Sequence, residues 1–164
     1  MSPFCLKVLS RLLTDALAGS NDLAPGSEPE LAIVEIQDGG TSRVPSHATT
    51  TPLEESFRAF VAASVDDAAK YHVGGASYFA LLDEQSSAEE EKTVLLVSRC
   101  PDGTIEGTAR VTFESAQFLL TSLAVASIGF TEIQSIGASQ GGVYGRSKEA
   151  PKKGEPGPRK RLGG

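Results

Sequence analysis

Apolar and polar positions alternate most regularly between residues 77 and 113, and this part of the chain predicts three consecutive strands. Residues 77–82 (SYFALL) and 92–99 (KTVLLVSR) are short apolar runs, and residues 104–113 alternate between apolar and polar side chains. Pro101-Asp102-Gly103 has the residue types of a tight hairpin turn. Because the 92–99 run alternates little, it is expected to be a central strand covered on both faces.

Three other segments have the apolar spacing of helices. Residues 2–18 carry an apolar stripe between Pro3, which suits a helix start, and Gly19, which suits a helix stop. Residues 52–71 carry a second stripe, and Thr51 with Glu54 forms a capping box at its start. Residues 115–128 are apolar on nearly every side, so this helix must be covered on every side. Residues 31–37 and 130–136 are predicted to be two further short strands.

The predicted element order, α-β-α-β-β-β-α, indicates an α+β fold with helices packed on one face of a mostly antiparallel sheet. We divide the chain into an N-terminal amphipathic helix (1–18), a linker (19–30), an α+β core domain (31–136) and a tail rich in Gly, Pro, Lys and Arg (137–164). The tail has almost nothing to bury, so it is expected to be disordered. The first helix could belong to the core or pack on another copy of the chain.

Charge is divided unevenly along the sequence. Residues 146–161 contain seven basic and two acidic residues, 7 − 2 = +5, whereas the remainder carries 8 − 19 = −11. Terminal blocks of like charge are often interaction tails. The predicted nucleic-acid-binding residues are Arg146, Lys148, Lys152, Lys153, Arg159, Lys160 and Arg161.

A basic tail of this kind binds phosphates by releasing their counterions. The segment contains no aromatic residue, so base stacking is not expected and the contact should tolerate any sequence. The acidic body would repel nucleic acid, while self-association through the 115–128 helix would multiply the tails. The sequence therefore predicts a non-enzymatic homo-oligomer that binds the RNA or DNA backbone, in the manner of a packaging protein.

A second interpretation stays open, because acidic proteins also bind basic partners. In it the body is an acidic adaptor or a chaperone-like dimer that binds a basic or disordered protein. The tail would then be a localisation signal, since Lys152-Lys153 and Arg159-Lys160-Arg161 have the spacing of a bipartite import motif.

Motifs for catalysis, metals and cofactors are not found in the sequence. His47 and His72 are the only histidines, and zinc-type Cys/His spacing is absent, so no metal and no cofactor is predicted. A Cys100–His72 dyad is conceivable, but Cys100 directly precedes the turn proline, which favours a structural thiol. No apolar run approaches the roughly 18 residues of a membrane span. Two cysteines without a disulfide framework indicate an intracellular protein, cytoplasmic or nuclear.

Two partial resemblances extend this interpretation. With 9 Pro, 19 Ala and 18 Ser, the composition is similar to that of the proline-alanine-serine-rich proteins that coat double-stranded RNA in capsidless fungal viruses, which implies a genome-associated viral role. Arg161-Leu162-Gly163-Gly164 resembles the conjugated C-terminus of ubiquitin-like modifiers. That family starts with a β-hairpin, whereas this chain starts with a predicted helix.

Overall fold

One layer of helices covers a four-stranded sheet in the computed structural model, which describes residues 3–36, 42–70, 75–88 and 90–146. The helices are α1 (Pro3–Leu23), α2 (Val65–Lys70), α3 (Phe113–Ala124) and α4 (Phe130–Ser139). The strands are β1 (Glu35–Ile36), β2 (Ser42–Arg43), β3 (Tyr78–Leu81), β4 (Thr93–Arg99), β5 (Ile105–Thr112) and β6 (Val143–Tyr144). The predicted α+β class is confirmed.

The predicted three-stranded meander is present as β3, β4 and β5, which pair antiparallel in that order. The turn at 101–103 closes as expected, with the Asp102 carboxylate accepting a hydrogen bond from the Thr104 amide at 2.9 Å. β4 lies between two strands, and all of its residues except Leu95 are buried. β6 adds a parallel strand on the far side of β5, so the sheet is mixed but mostly antiparallel.

The hydrophobic core lies between this sheet and the helices, on one face of the sheet. In the sheet, Leu96 lies opposite Ala109 and Val94 opposite Val111, and all four side chains point toward the helices. The buried cluster consists of Leu12, Ala16, Val94, Leu96, Ala109, Val111, Phe113, Ala116, Leu119, Leu123 and Ile133. Because α1, α3 and α4 all contribute to it, the predicted placement of helices on one face is confirmed.

The first helix is longer than predicted and belongs to the core. It continues through Gly19 to Leu23, which leaves only residues 24–30 of the expected 19–30 linker outside the helix. At Gly19 the backbone of α1 approaches α3 so closely that a β-carbon would overlap the Glu114 carbonyl. This glycine therefore permits a close helix–helix contact instead of ending the helix, as its residue type suggested.

The predicted helix over residues 52–71 is largely absent, because the chain pairs with β1 instead. The Ile36 amide donates to the Arg58 carbonyl at 2.8 Å, and the Phe60 amide donates to the Val34 carbonyl at 2.7 Å. These long-range bonds occupy backbone groups that a helix would use internally, so only Val65–Lys70 is helical. The strand predicted at 31–37 shortens to β1, which pairs with β2 in a separate two-stranded sheet.

The prediction for residues 130–146 was also wrong, because these residues are ordered and mostly helical. Phe130, Ile133 and Gly137 have the spacing of one helix face, and this face of α4 packs on the core. Gly129 is the N-cap of α4 and does not end the preceding helix, since α3 already ends at Ala124. The tail was expected to start at residue 137, but residues 137–146 complete α4 and form β6.

Replacing Gly19 with alanine tests the contact between α1 and α3. In an exposed helix this change stabilises by about 1 kcal/mol, but here the added methyl meets the Glu114 carbonyl. We expect Gly19→Ala to lower the free energy of unfolding by about 1–3 kcal/mol, measured by urea denaturation. Gly137→Ala is the control and should cost less, since its nearest non-helical atom is the Tyr144 amide nitrogen at 3.3 Å. A Gly19→Ala protein as stable as the parent would contradict this packing.

Candidate functional site

Arg146 is the one predicted tail residue that lies within the described part of the chain. The other six, Lys148, Lys152, Lys153, Arg159, Lys160 and Arg161, lie outside the described residues. The described part of the predicted site is therefore Arg146 and its surroundings.

Residues 143–145 are held at a defined place beside the start of α3. Val143 and Tyr144 of β6 pair with Arg110 and Val111 of β5. The next amide, that of Gly145, donates to the Gln140 side-chain oxygen at 2.7 Å. Gly145 has a φ of +86° and lies so close to the Thr112 and Ser115 hydroxyls that a β-carbon would not fit. The start of the tail is thus positioned by the sheet and by a left-handed glycine.

Arg146 forms an ion pair with Glu91, in the loop that precedes β4. The Arg146 side chain is 43% exposed and that of Glu91 is 35% exposed. A surface pair of this kind contributes little to stability, about 0–1 kcal/mol. Its significance is positional, because it places the first tail cation next to Lys92.

A second group of charges lies at the same place, centred on Asp15 of α1. The Asp15 Oδ2 atom is 3.8 Å from the Arg11 Nε and 3.7 Å from the Lys92 Nζ. Lys7 lies one helical turn before Arg11, so it shares that side of α1. We call Lys7, Arg11, Lys92 and Arg146 the tail root. Sequence reasoning missed this group as a group, because Lys92 and Arg146 are distant in sequence and meet only in the fold.

Three of the other cations in the described residues bond within the fold. Arg99 is only 4% exposed and donates to the Ala69 and Ala76 carbonyls, each at 2.9 Å. Arg110 makes a two-pronged contact with the Asp83 carboxylate. Arg58 donates to the carbonyls of Glu55 and Phe57 in its own loop. All three guanidiniums hold loops in place. Arg99 and Arg110 are largely buried, whereas Arg58 is exposed.

The tail root groups four of the nine described cations with two carboxylates. The described residues carry nine basic and seventeen acidic residues, 9 − 17 = −8. The tail-root cations lie beside Asp15 and Glu91, which gives 4 − 2 = +2 for this group. The other described residues therefore carry −8 − 2 = −10. The net negative charge of the body outside the tail root disfavours contact with a polyanion.

Cys100 does not have the environment of an activated nucleophile. A hydrogen bond between its thiol and the Glu106 carboxylate, together with desolvation, raises the pKa of Cys100 above the usual value. A reactive cysteine needs the opposite shift, since the thiolate is the nucleophile. His72, the other member of the conceivable dyad, lies outside the described residues.

Two open clefts on the described surface hold polar side chains. The larger, about 440 Å³, lies between α1 and residues 29–31 and 49–51 and is lined by apolar and threonine side chains and by the amides of Asn21 and Gln117. The other, about 400 Å³, contains His47 together with Glu35, Arg43 and Glu54. Among the described residues no hydrogen bond joins His47 to these three, so an aligned acid–base pair is not present there.

Metal binding and membrane spanning have no structural counterpart in the described ranges. No three His, Cys, Asp or Glu residues come together there in a way that could hold a metal ion. None of the helices between residues 3 and 146 that the structure describes has the length and apolar character needed to cross a membrane.

The apolar helix that was expected to need a second subunit is mostly covered within its own chain. α1 packs along one side of α3, and the sheet covers another. Phe118 of α3 is 40% exposed, and Val125, the C-cap residue after the helix, is 69% exposed. Burial of the helix therefore does not require an oligomer, although an apolar stripe remains.

A family model described as "Domain of unknown function (DUF6924)" matches residues 30–147. The match covers more than half of the chain and leaves α1 and residues 148–164 outside the family region. A search of the curated proteins and a search of the solved structures each returned no match.

Stability should depend on pH through the Asp83–Arg110 pair. The contact with Arg110 lowers the pKa of Asp83 to about 2, below roughly 3.9 in an unfolded chain. Because the folded pKa is depressed, the pair stabilises above about pH 4 and its contribution is lost as the pH falls toward 2. Asp83→Asn should lower the free energy of unfolding at pH 7 by about 1–2 kcal/mol, since Asp83 is partly exposed.

Urea denaturation of Asp83→Asn and the parent between pH 7 and pH 2 measures this effect. The stability difference between them should shrink as the pH falls from 4 to 2. Asp66→Asn is the matched control, because Asp66 is exposed and forms no ion pair within the described residues. A difference that stays constant over this range would contradict the assignment.

Proposed function

Because the chain belongs to the DUF6924 family, whose description names no activity, we propose from the charge geometry that this protein binds the phosphate backbone of RNA or DNA. The contact is made by the basic tail and the tail root together. It is non-enzymatic and tolerant of base sequence, as a packaging or genome-associated protein requires.

The observation that carries this proposal is the position of the solvent-facing cations. Four of the nine cations in the described residues lie in the tail root. Arg43, Arg58 and Lys70 are exposed elsewhere on the body. Lys70 packs near Gly103 in the β4–β5 turn, so the length of β4 separates it from Lys92, about 20 Å.

The tail root connects the basic tail to a group of positively charged side chains on the body. Arg146 is both the last described residue and the first of the seven predicted contacts. It pairs with Glu91, whose neighbour Lys92 lies with Arg11 of α1 around Asp15. A polyanion bound along the tail could continue onto this surface while avoiding the acidic remainder of the body. Each phosphate neutralised releases condensed counterions, so the affinity is set by the number of contacts and falls with salt.

Self-association is a second part of the proposal. Phe118 lies on α3, and Val125 is the C-cap residue that directly follows the helix, seven positions later. Seven positions are about two helical turns, so the two side chains leave the helix on the same side. A contact between copies through this stripe would join several tails in one particle. Weak single tails would then act together, because binding of one raises the effective concentration of the others.

Removing the tail tests the main proposal. A chain ending at Gly145 keeps β6 but loses every cation from Arg146 onward. We expect the full chain to bind a 20-base-pair duplex with log Kd rising by roughly 5 per unit of log salt, about a thousandfold between 50 and 200 mM. The truncated chain should bind at least about a hundredfold more weakly at low salt. Fluorescence anisotropy over a salt series measures both.

Equal affinity of the two chains would sink the proposal. No binding by either chain would do the same. That second outcome would favour the alternative, in which the acidic body binds a basic protein and the tail serves localisation.

Changing the tail root separates its contribution from that of the tail. Lys7→Gln, Arg11→Gln and Lys92→Gln combined should weaken duplex binding about tenfold and reduce the salt slope by about 2 to 3. The control replaces Arg43 and Lys70 with Gln and should change the affinity by less than about twofold. Equal effects from both sets would show that only net charge matters and that the tail root is not a contact surface.

Self-association is tested by sedimentation of the parent and a Phe118→Ser, Val125→Ser variant. The parent should sediment as an oligomer that the double change dissociates. Val61→Ser is the control, because Val61 is 70% exposed but lies outside α3. A monomeric parent protein would remove this part of the proposal and leave tail binding unaffected.

A further inference from the structure

Two carboxylates hold the cations of the tail root in internal ion pairs. Glu91 pairs with Arg146, while Asp15 lies between Arg11 and Lys92. Three of the four tail-root cations thus already have an anionic partner supplied by the body. We propose that Asp15 and Glu91 act as built-in competitors for phosphate, so that polyanion binding exchanges internal ion pairs for phosphate contacts. This inference rests on the proposed function.

The geometry at Glu91 favours exchange over permanent pairing. Both side chains of the Arg146–Glu91 pair are more than a third exposed, so water and a phosphate can reach them. Surface pairs of this kind are weak and screened by salt. Arg146 is also the junction with the tail, so any polyanion lying along the tail arrives at this pair first.

Asp15 holds its two cations more loosely than a hydrogen-bonded carboxylate would. Its Oδ2 atom is buried and has no hydrogen-bond partner within the described residues, although Arg11 and Lys92 lie 3.8 and 3.7 Å away. At those distances neither cation donates a hydrogen bond to this oxygen, so the Lys92 ammonium can turn toward an external anion. Their side chains are 44% and 43% exposed, which keeps them within reach of one.

The competitors also reduce the net charge that a phosphate backbone meets. Three paired cations against two carboxylates present 3 − 2 = +1 instead of +3. The salt dependence of binding is set by the number of phosphates that the protein neutralises. Internal pairing of the cations should therefore lower both the affinity for the polyanion and the salt slope. The body thereby limits binding to polymers long enough to occupy the tail as well.

Glu91→Gln is the first test, because Glu91 is partly exposed and its neutral analogue should fold normally. It should raise the affinity for a 20-base-pair duplex about two- to fivefold at 50 mM salt and steepen the salt slope by about 1. Combining it with Asp15→Asn should steepen the slope by about 2. Glu55→Gln combined with Glu132→Gln is the matched control, because it removes two negative charges at exposed positions elsewhere. Its salt slope for duplex binding should equal that of the parent.

Three results would overturn the inference. Affinity gains equal to those of the control pair would mean that only net charge matters. Weaker binding would mean that the carboxylates orient the cations for phosphate. Glu91→Gln with the parent's affinity and slope would mean that the pair does not open on binding. In each case the parent and the chain ending at Gly145, measured side by side, show whether tail binding itself holds.

Discussion

At Gly19 the backbone of α1 approaches α3 so closely that no side chain fits between them, and this contact decides much of the remaining structure. It lets Leu12 and Ala16 join the buried cluster, so the first helix is part of the core instead of a separate arm. It also covers one side of α3, an apolar helix that would otherwise be exposed to water. The same packing brings Arg11 and Asp15 of α1 to the start of β4.

The charges of the body follow from this arrangement. The central strand β4 is buried on both faces, and the polar groups on its second face need partners. Arg99 finds backbone carbonyls, and Arg110 on the neighbouring strand finds Asp83. Arg99 and Arg110 therefore bond within the fold. The largest group of other cations, the tail root, lies where α1, the loop before β4 and the end of β6 come together.

The proposed function and its regulation depend on that same junction. A tail attached to a uniformly acidic body would have to hold a polyanion against repulsion from the whole surface. The tail root gives it a small local region without net negative charge. In the proposal, the carboxylates that build this region also compete for its cations, so one set of contacts would both assemble the site and moderate its affinity. This coupling is possible because the pairs are exposed or loosely spaced.

Local sequence determined the features in which neighbouring residues carry the whole signal. The alternation of residues 104–113 and the turn at 101–103 predicted β5 and its hairpin, because a strand with one buried face needs that pattern. The block of cations beginning at Arg146 predicts an interaction tail in the same way.

Only the tertiary structure decided the remaining features. The capping box at Thr51 and Glu54 favours a helix locally, but residues 58–60 pair with β1 across more than twenty positions. Phe130–Ile136 has a short apolar pattern that fits a strand or a helix, and packing on the core selects the helix. The tail root is the clearest case, since Arg11, Lys92 and Arg146 meet only after α1 and β6 have taken their places. Sequence patterns report local propensity, whereas these contacts depend on long-range packing that no local pattern encodes.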